Sequence, residues 1–482
     1  MQTYLYVLLG VAALLLLLFA VILVRTLAFR PKAGPRTVAK DTDFDGDAVV
    51  ARLQTLVRFP TVSYREKERE DEAAFRGLID ALPSLYPNVF ATCEFTELLD
   101  RALLFHWRGK EVGEPAVMMA HYDVVPTDAD AWEKPPFAGV LEDGVLWGRG
   151  TLDTKVTFNA ILSAADTLIA RGFTPASDVY FAFSGGEEIN GAGAKNIVSY
   201  FKEQGVTLGL VVDEGGAVVE NVFPGVKLPC GMIGIAEKGM MDVRYRTRSA
   251  GGHASAPKPH TPVGVLARAC TRIENDPFPS HLSLPVAAMF DTLGRHSSFV
   301  YRMIFANLWL FRPVLDGICK KSGGELNALM RTTVAFTQMK GSDATNVIPP
   351  EASMVSNIRL NPLDTMESAL ARLKKTVADE SVDVEILYGM DPSRVSEIDC
   401  PAWDKVASAV ASTWEGCLVS PYLMMQCSDS RHYGEISDKV YRFSAMDLTR
   451  EERATIHGNN ERIRVSTARD AVSFYLALLK QC

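Results

Sequence analysis

The sequence has no surplus of positive charge. Its 50 lysines and arginines are outnumbered by 58 aspartates and glutamates, for a formal net charge of −8 at pH 7. That argues against the basic face that nucleic-acid binding requires, so no nucleic-acid partner is expected. Eight cysteines are scattered through the chain (Cys93, Cys230, Cys270, Cys319, Cys400, Cys417, Cys427 and Cys482), and none forms a C-x-x-C pair. A zinc ribbon and a thioredoxin-type redox pair are therefore not expected, and mostly buried free thiols are. There is no G-x-S-x-G nucleophile elbow, no G-x-x-x-x-G-K-[ST] phosphate loop and no H-E-x-x-H helix. Gly191-Ala192-Gly193 lacks the third glycine of a dinucleotide fingerprint, because residue 196 is Asn. With 35 glycines and 25 prolines in 482 residues, low-complexity and collagen-like chains are also excluded.

What is present is enough apolar sequence, 48% over 482 residues, for two or three domains. Residues 4–24 are consecutively apolar, long enough at 1.5 Å per residue to cross a bilayer core. The start, Met1-Gln2-Thr3, carries no basic side chain, which favours a retained single-pass membrane anchor (residues 1–30) over a cleaved signal peptide. Arg25, Arg30, Lys32, Arg36 and Lys40 follow it, and the positive-inside rule puts that side in the cytoplasm. Residues 31–45 read as a polar, proline-containing tether. Short apolar runs at 116–120, 179–183 and 208–212 predict buried strands, and 49–56, 70–82, 157–171 and 192–203 predict helices. This alternation predicts an α/β domain over 46–238, resumed at 391–482. Between them, 239–390 reads β-α-β-β-α-β, the split ferredoxin-like pattern, interrupted by a helical insertion at about 277–330. The apolar stretch 303–314 in that insertion is expected as core or dimer contact, being too short for a span.

Four acid- or histidine-bearing clusters follow strand-like runs. His121-Tyr122-Asp123 follows 117–120, where His121 could ligate a metal and Asp123 hold its other ring nitrogen; a structural histidine is the plainer reading. Asp153 sits between a glycine turn and a predicted helix, as a helix cap or a carboxylate bridging two cations. Glu187-Glu188 follows 179–183, either as a solvated acidic pair or as a divided one, with Glu188 on a metal and Glu187 a general base. Asp213-Glu214 follows 208–212, at the strand edge where open α/β sheets bind ligands. A late element, residues 456–461 (IHGNNE), adds His457, one of only eight histidines. Two Zn²⁺ with three carboxylates and a hydroxide would be near neutral, as a buried site requires.

Taken together, HYDVVP, GRGTLDTK, SGGEE, VVDEGG, GGHASAP, TNVIP, SDSRHY and IHGNNE, in this order over residues 121–461, resemble one family. It is the co-catalytic di-zinc metallopeptidases that include aminoacylase-1, carboxypeptidase S and succinyl-diaminopimelate desuccinylase. Within it, the chain looks closest to the carboxypeptidase S and N-acyl-amino-acid hydrolase subgroup. The resemblance implies an α/β catalytic domain with a central mixed sheet, interrupted by a lid that often dimerises. It also implies two zinc ions per chain. His121 and Glu214 would hold one, with Asp213 open as the alternative to Glu214, Glu188 and His457 the other, and Asp153 would bridge them. Asp123 would orient His121, and Glu187 would be the base. His253, otherwise a turn residue, would polarise the scissile carbonyl from the lid, in the partner's active site or its own. Asn346 would be a second lid contact, and Arg431, supported by His432, would grip a substrate carboxylate. The implied reaction is hydrolysis of an amide next to a free C-terminal amino acid, in a small peptide or an N-acyl amino acid. Relatives of this subgroup work in a lumen or outside the cell, against the charge rule, and we expect this chain to follow them. The bulky apolar insertion points to a hydrophobic substrate. The rival reading is a non-catalytic scaffold on the same fold; a transport subunit is disfavoured by the single apolar span.

Overall fold

The computed structural model describes residues 2–221 and 223–482. Its centre is an eight-stranded mixed sheet. The strands lie in the spatial order Glu94–Leu98, Ala102–Trp107, Val179–Ser184, Ala116–His121, Leu210–Val219, Val440–Leu448, Cys230–Glu237 and Leu418–Met424. The four central strands from Val179–Ser184 to Val440–Leu448 run parallel; Ala102–Trp107 and Cys230–Glu237 join them antiparallel on either side, and the edge strand Leu418–Met424 runs parallel to Cys230–Glu237. Parallel strands are covered on both faces, which is why these segments read as unbroken apolar runs. The two-residue period then sorts their side chains. Leu103, Phe105, Met118, Phe181 and Phe183 join the core under helices Lys155–Ala170 and Val465–Leu479. Leu104, Val117, Met119, Tyr180 and Ala182 face helix Gly193–Glu203 on the other side.

Lys238 links this sheet to a second unit. Gly239–Arg248, Thr333–Lys340, Glu351–Leu360 and Val382–Met390 form an antiparallel sheet in which the first strand lies between the third and the fourth. Gly239–Arg248 alternates strictly. Met241, Val243 and Tyr245 pack under helices Pro262–Asn275 and Met366–Val377. Arg244, on the opposite face, pairs with Glu385 at 2.7 Å. One face is therefore core and the other solvated. The hairpin-like pair Gly252–His253 and Val347–Ile348 lies at the rim of this unit.

Three segments depart from expectation. The insertion forms helices Leu284–His296, Phe299–Ala306, Leu308–Ser322 and Gly324–Met330. Although it interrupts the second unit in sequence, Val286, Met289, Phe290, Leu293 and Phe305 pack into the large core of the first. Phe223 supplies the complementary aromatic surface, 4.6 Å from Phe305 between ring centroids. The acids Asp213 and Glu214, expected where a strand ends, lie inside a ten-residue strand. Val218 and Val219 beyond them pair with Cys230 and Gly231 and keep the chain extended. The segment 31–45 is strapped down rather than loose. Lys40 pairs with Asp470, Arg171 and Lys480 both meet Asp41, and Val38 N donates to Ser412. The apolar N-terminal helix runs Gln2–Ala28, long and apolar enough to cross a membrane. All eight thiols are free, and Cys93, Cys230, Cys319 and Cys482 are buried.

Candidate active site

The parallel strands deliver their side chains to one edge of the sheet, as the topology requires. His121 is the last residue of Ala116–His121, and Glu187 and Glu188 form a tight turn just after Val179–Ser184. Glu214 projects from the next strand, Leu210–Val219. Asp153 precedes helix Lys155–Ala170, at the end of a turn through Gly150, whose φ is +88°. A Cβ at Gly150 would stand 2.9 Å from Val124, so both conformation and space call for glycine. His457 arrives from the loop after Val440–Leu448, with φ +58°.

These residues converge in two groups that share Asp153. His121 Nε2 is 3.0 Å from Asp153 Oδ1 and 3.2 Å from Glu214 Oε1. His457 Nε2 is 3.0 Å from Asp153 Oδ2 and 3.1 Å from Glu188 Oε2. Ligand atoms of His121, Glu187 and Glu214 lie within 4.8 Å of one another, as do those of His121, Asp153 and Glu188. The two Asp153 oxygens thus face opposite clusters. His121 Nδ1 lies 3.0 Å from the backbone carbonyl of Asp123, which only accepts, so Nδ1 carries the proton. In the neutral ring Nε2 then aims a lone pair at two carboxylates, which is unfavourable unless a cation or a proton lies between. Glu188 Oε1 is buried without a hydrogen-bond partner. The donor set, imidazole nitrogens with carboxylate oxygens, suits zinc and similar divalent ions.

The electrostatics agree. Burial, reinforced by the Asp153 and Asp213 charges, pushes Glu214 up to about 8. Burial also raises Glu187 well above the carboxylate range, and Asp429, Glu214 and Glu188 add to it. Burial works to raise Asp153 too, but hydrogen bonds from His121 and His457 overcome it and hold it low. Hydrogen bonds to Asp153 and Glu188 lift His457 to about 10. A pocket this crowded with buried acid calls for positive charge, and a bound cation reverses these shifts.

Supporting residues explain the convergence. Asp123 is fully buried. It accepts from Ser63 Oγ at 2.7 Å and from the backbone N–H groups of Glu187 and Glu188 at 3.1 and 3.2 Å. Its carboxylate is 3.4 Å from His121 Nδ1, so it positions the acidic turn as well as the ring. Glu461 closes the IHGNNE element, and nothing in the sequence assigns it a role. Buried, it pairs with Arg149 at 2.6 Å and accepts from the N–H groups of Gly150, Leu152 and Asp153, moulding the turn that carries Asp153. Its sequence signal was an acid two residues after an Asn in an otherwise polar loop, which is too weak to assign. Asp213 turns away from His121 and accepts from Ser430 N at 2.9 Å, leaving Glu214 beside the histidine.

The remaining candidates fall outside the cluster. Arg431 donates to Asn190 at 2.7 Å, while its Nε and Nη1 are buried without partners. With His432 it lines a separate cavity of about 340 Å³. Burial, together with the Arg431 and Lys195 charges, pushes His432 down to about 4, so it stays neutral. His253 and Asn346 lie together on the second unit, where Ala254 N donates to the Asn346 carbonyl at 2.9 Å. His253 is exposed, its Nδ1 2.7 Å from Ser255 Oγ. Among the described residues, neither lines the cavity beside the acids. That cavity, about 1250 Å³, runs from Asp153, Glu187, Glu188, Glu214 and His457 to apolar walls built by Phe223, Val226, Met289, Tyr301, Leu326 and Met446.

An α/β sheet carrying two histidines and four acids on its ligand-binding edge defines a hydrolase of metallopeptidase type. The chain belongs to peptidase family M20/M25/M40, whose model matches residues 117–481. It is 34% identical over 478 residues to an N-fatty-acyl-amino acid synthase/hydrolase, PM20D1, of Xenopus tropicalis, covering 97% of this chain and 93% of that one. It is 31% identical over 477 residues to a probable carboxypeptidase S-like protein 2 of Dictyostelium discoideum, covering 97% and 92%. Its fold resembles that of the M20 family metallo-carboxypeptidase Sso-CP2 of Sulfolobus solfataricus, with a TM-score of 0.62 at 16% identity over 90% of this chain and 98% of that one.

Proposed function

We propose that this enzyme hydrolyses the amide bond of N-acyl amino acids, with long acyl chains preferred, releasing the free amino acid. The observation that carries the reading is the large cavity, which combines the acids and His457 with apolar walls at Phe223, Val226, Met289 and Met446 and with basic side chains at Lys227, Arg450 and Arg453. Such a space fits an amide at the charged end and a hydrocarbon chain along the walls. The similarity to an N-fatty-acyl-amino acid synthase/hydrolase and to a carboxypeptidase S-like protein supports the same bond type.

In this reading two zinc ions would be held by His121, Glu214, Glu188 and His457, with Asp153 shared between them. Bound there, the ions would polarise the amide carbonyl and bring a water's pKa toward about 7. Glu187 takes that water's proton at its carboxylate and returns it to the leaving amine nitrogen, its position set by the Asp123–backbone contacts. Arg431 opens on a neighbouring cavity but lies close enough to Glu187 and Asp429 to interact with their charges, and from there it offers its two unpartnered nitrogens to the substrate's free carboxylate, for which a guanidinium fork is suited. His253 and Asn346, on the second unit acting as a lid, reach the carbonyl and the substrate when the unit closes or when a partner copy supplies them. Residues 1–30 stay attached as a single-pass anchor. Support comes from the seat that residues 22–32 make on the body, through Asn307, Ala306 and Asp291. A complete set of ligands and base speaks against a non-catalytic scaffold.

The test is amino acid release by the detergent-solubilised full chain from a panel of blocked dipeptides and N-acetyl and long-chain N-acyl amino acids, with and without a zinc chelator. We expect release to be abolished by chelator, restored by Zn²⁺, and fastest on long-chain substrates. A folded, metal-loaded protein that released nothing from any of them would return the scaffold reading to first place.

A further inference from the structure

The insertion helices carry large apolar side chains that nothing covers among the described residues. On helix Leu308–Ser322, Trp309 is 56% exposed near its start, and Val314 and Ile318, one turn apart, are exposed on another side of it. On the preceding helix Phe299–Ala306, Phe299, Val300 and Tyr301 are exposed too. Six large apolar side chains exposed on two consecutive helices are more than scattered single exposures and mark this region as an interaction surface.

The N-terminal helix identifies the occupant. Its apolar run, residues 4–24, is about 30 Å long, the thickness of a bilayer's hydrocarbon core. The end of that run is fastened to the insertion. Buried Asn307 donates through Nδ2 to the Ile22 carbonyl at 3.2 Å and to Thr26 Oγ1 at 3.3 Å, and Arg25 Nε donates to the Ala306 carbonyl at 3.2 Å. Asn307 and Thr26 are both completely buried, so the attachment is packed as well as polar. If the helix spans a membrane, Ile22–Thr26 lies at the boundary of the hydrocarbon, and Asn307 lies there with it. The insertion helices on either side of Asn307 then run at interfacial depth. Arg30, Lys320 and Lys321 are exposed around them, where lysine and arginine meet lipid headgroups. Tyr301 also lines the cavity that reaches Glu187 and Glu214, so the exposed face and the acidic end share one continuous space.

We propose that helices Phe299–Ala306 and Leu308–Ser322 lie against the surface of the bilayer that anchors the chain, and that the acyl chain of the substrate enters the active-site cavity from that bilayer past Tyr301. The second clause rests on the acyl-amino-acid reading above; the first does not.

The full chain is reconstituted at one copy per lipid nanodisc, with lipids brominated along their acyl chains, and tryptophan emission is compared with that of Trp309→Phe. We expect a component of the emission to be quenched by bromine and to vanish in Trp309→Phe. The paired variant Trp309→Glu/Val314→Glu should raise KM for a long-chain N-acyl amino acid in the disc roughly tenfold, about 1.4 kcal/mol. Hydrolysis of the N-acetyl analogue and metal content should not change. A chain retained by the disc without Trp309-dependent quenching overturns the docking while leaving the anchor intact. A chain that the disc does not retain overturns both. Protection of Trp309 only in discs holding two crosslinked copies overturns it in favour of a second chain on this face. Quenching as expected, with no acyl amino acid hydrolysed, upholds the docking and refutes the proposed function.

Discussion

Glu187 has neighbours that make its role testable. It is buried, crowded by Asp429, Glu214 and Glu188, and held by a backbone bond to Asp123. Glu187→Gln preserves shape and that backbone bond while removing the proton acceptor. We expect kcat to fall by about 10²–10⁴-fold, the usual contribution of a positioned base, while both metal equivalents stay bound. Steady-state kinetics alongside metal analysis checks this, and near wild-type turnover would remove Glu187 from the mechanism. Glu461 illustrates a different kind of residue. It touches none of the reacting groups, yet four contacts to Arg149 and the Gly150–Asp153 backbone make it the mould for the turn.

Among the elements, the strap at residues 31–45 makes its own contribution to stability. Burial works against the ionised form of Asp41, but hydrogen bonds from Lys480 and Arg171 outweigh it and lower the carboxyl to about 2, from an ordinary 3.8. A depressed folded-state pKa stabilises the fold above the unfolded value and loses that contribution as pH falls through the folded one. The window is therefore about pH 4 down to about pH 2. Because the site is partly solvated, its worth is about 1 kcal/mol at most. Asp41→Asn should lower the thermal midpoint at pH 7 slightly and make the loss of stability between pH 4 and 2 shallower than in the wild type. Parallel melting curves across that range measure it, and identical acid slopes for the two proteins would show that Asp41 contributes nothing there.

At the scale of the molecule, His253 and Asn346 sit on a unit joined to the catalytic sheet through Lys238, away from the acids they were expected to serve. In the proposed reading, either the second unit closes over its own site or a partner copy brings them in. We favour the partner, because an exposed histidine on a rim strand is free to enter another subunit's cleft. Mixing His253→Ala with Glu187→Gln protomers, each inactive alone, should then restore roughly a quarter of wild-type activity, since half of randomly assorted dimers carry one complete site. No recovery after verified subunit exchange would place His253 in its own chain's active site.

What the sequence by itself determined was the local chemistry and the central architecture. Apolar runs at 116–120 and 179–183 announced buried strands because parallel strands face core on both sides. The histidine and acids directly after them were legible because strand ends project side chains to one edge. The flanking strands Glu94–Leu98 and Cys230–Glu237 escaped notice, since the first is half-exposed and the second is rich in glycine and alanine. Only the tertiary structure showed which of Asp213 and Glu214 faces His121. They are adjacent in sequence, and alternate residues of an extended strand face opposite ways, so one meets Ser430 and the other His121. Only the structure assigned the insertion to the catalytic core and seated the N-terminal helix on Asn307. The Asn307 contacts join residues more than 280 apart along the chain, and no local pattern encodes which distant surface an apolar helix will meet.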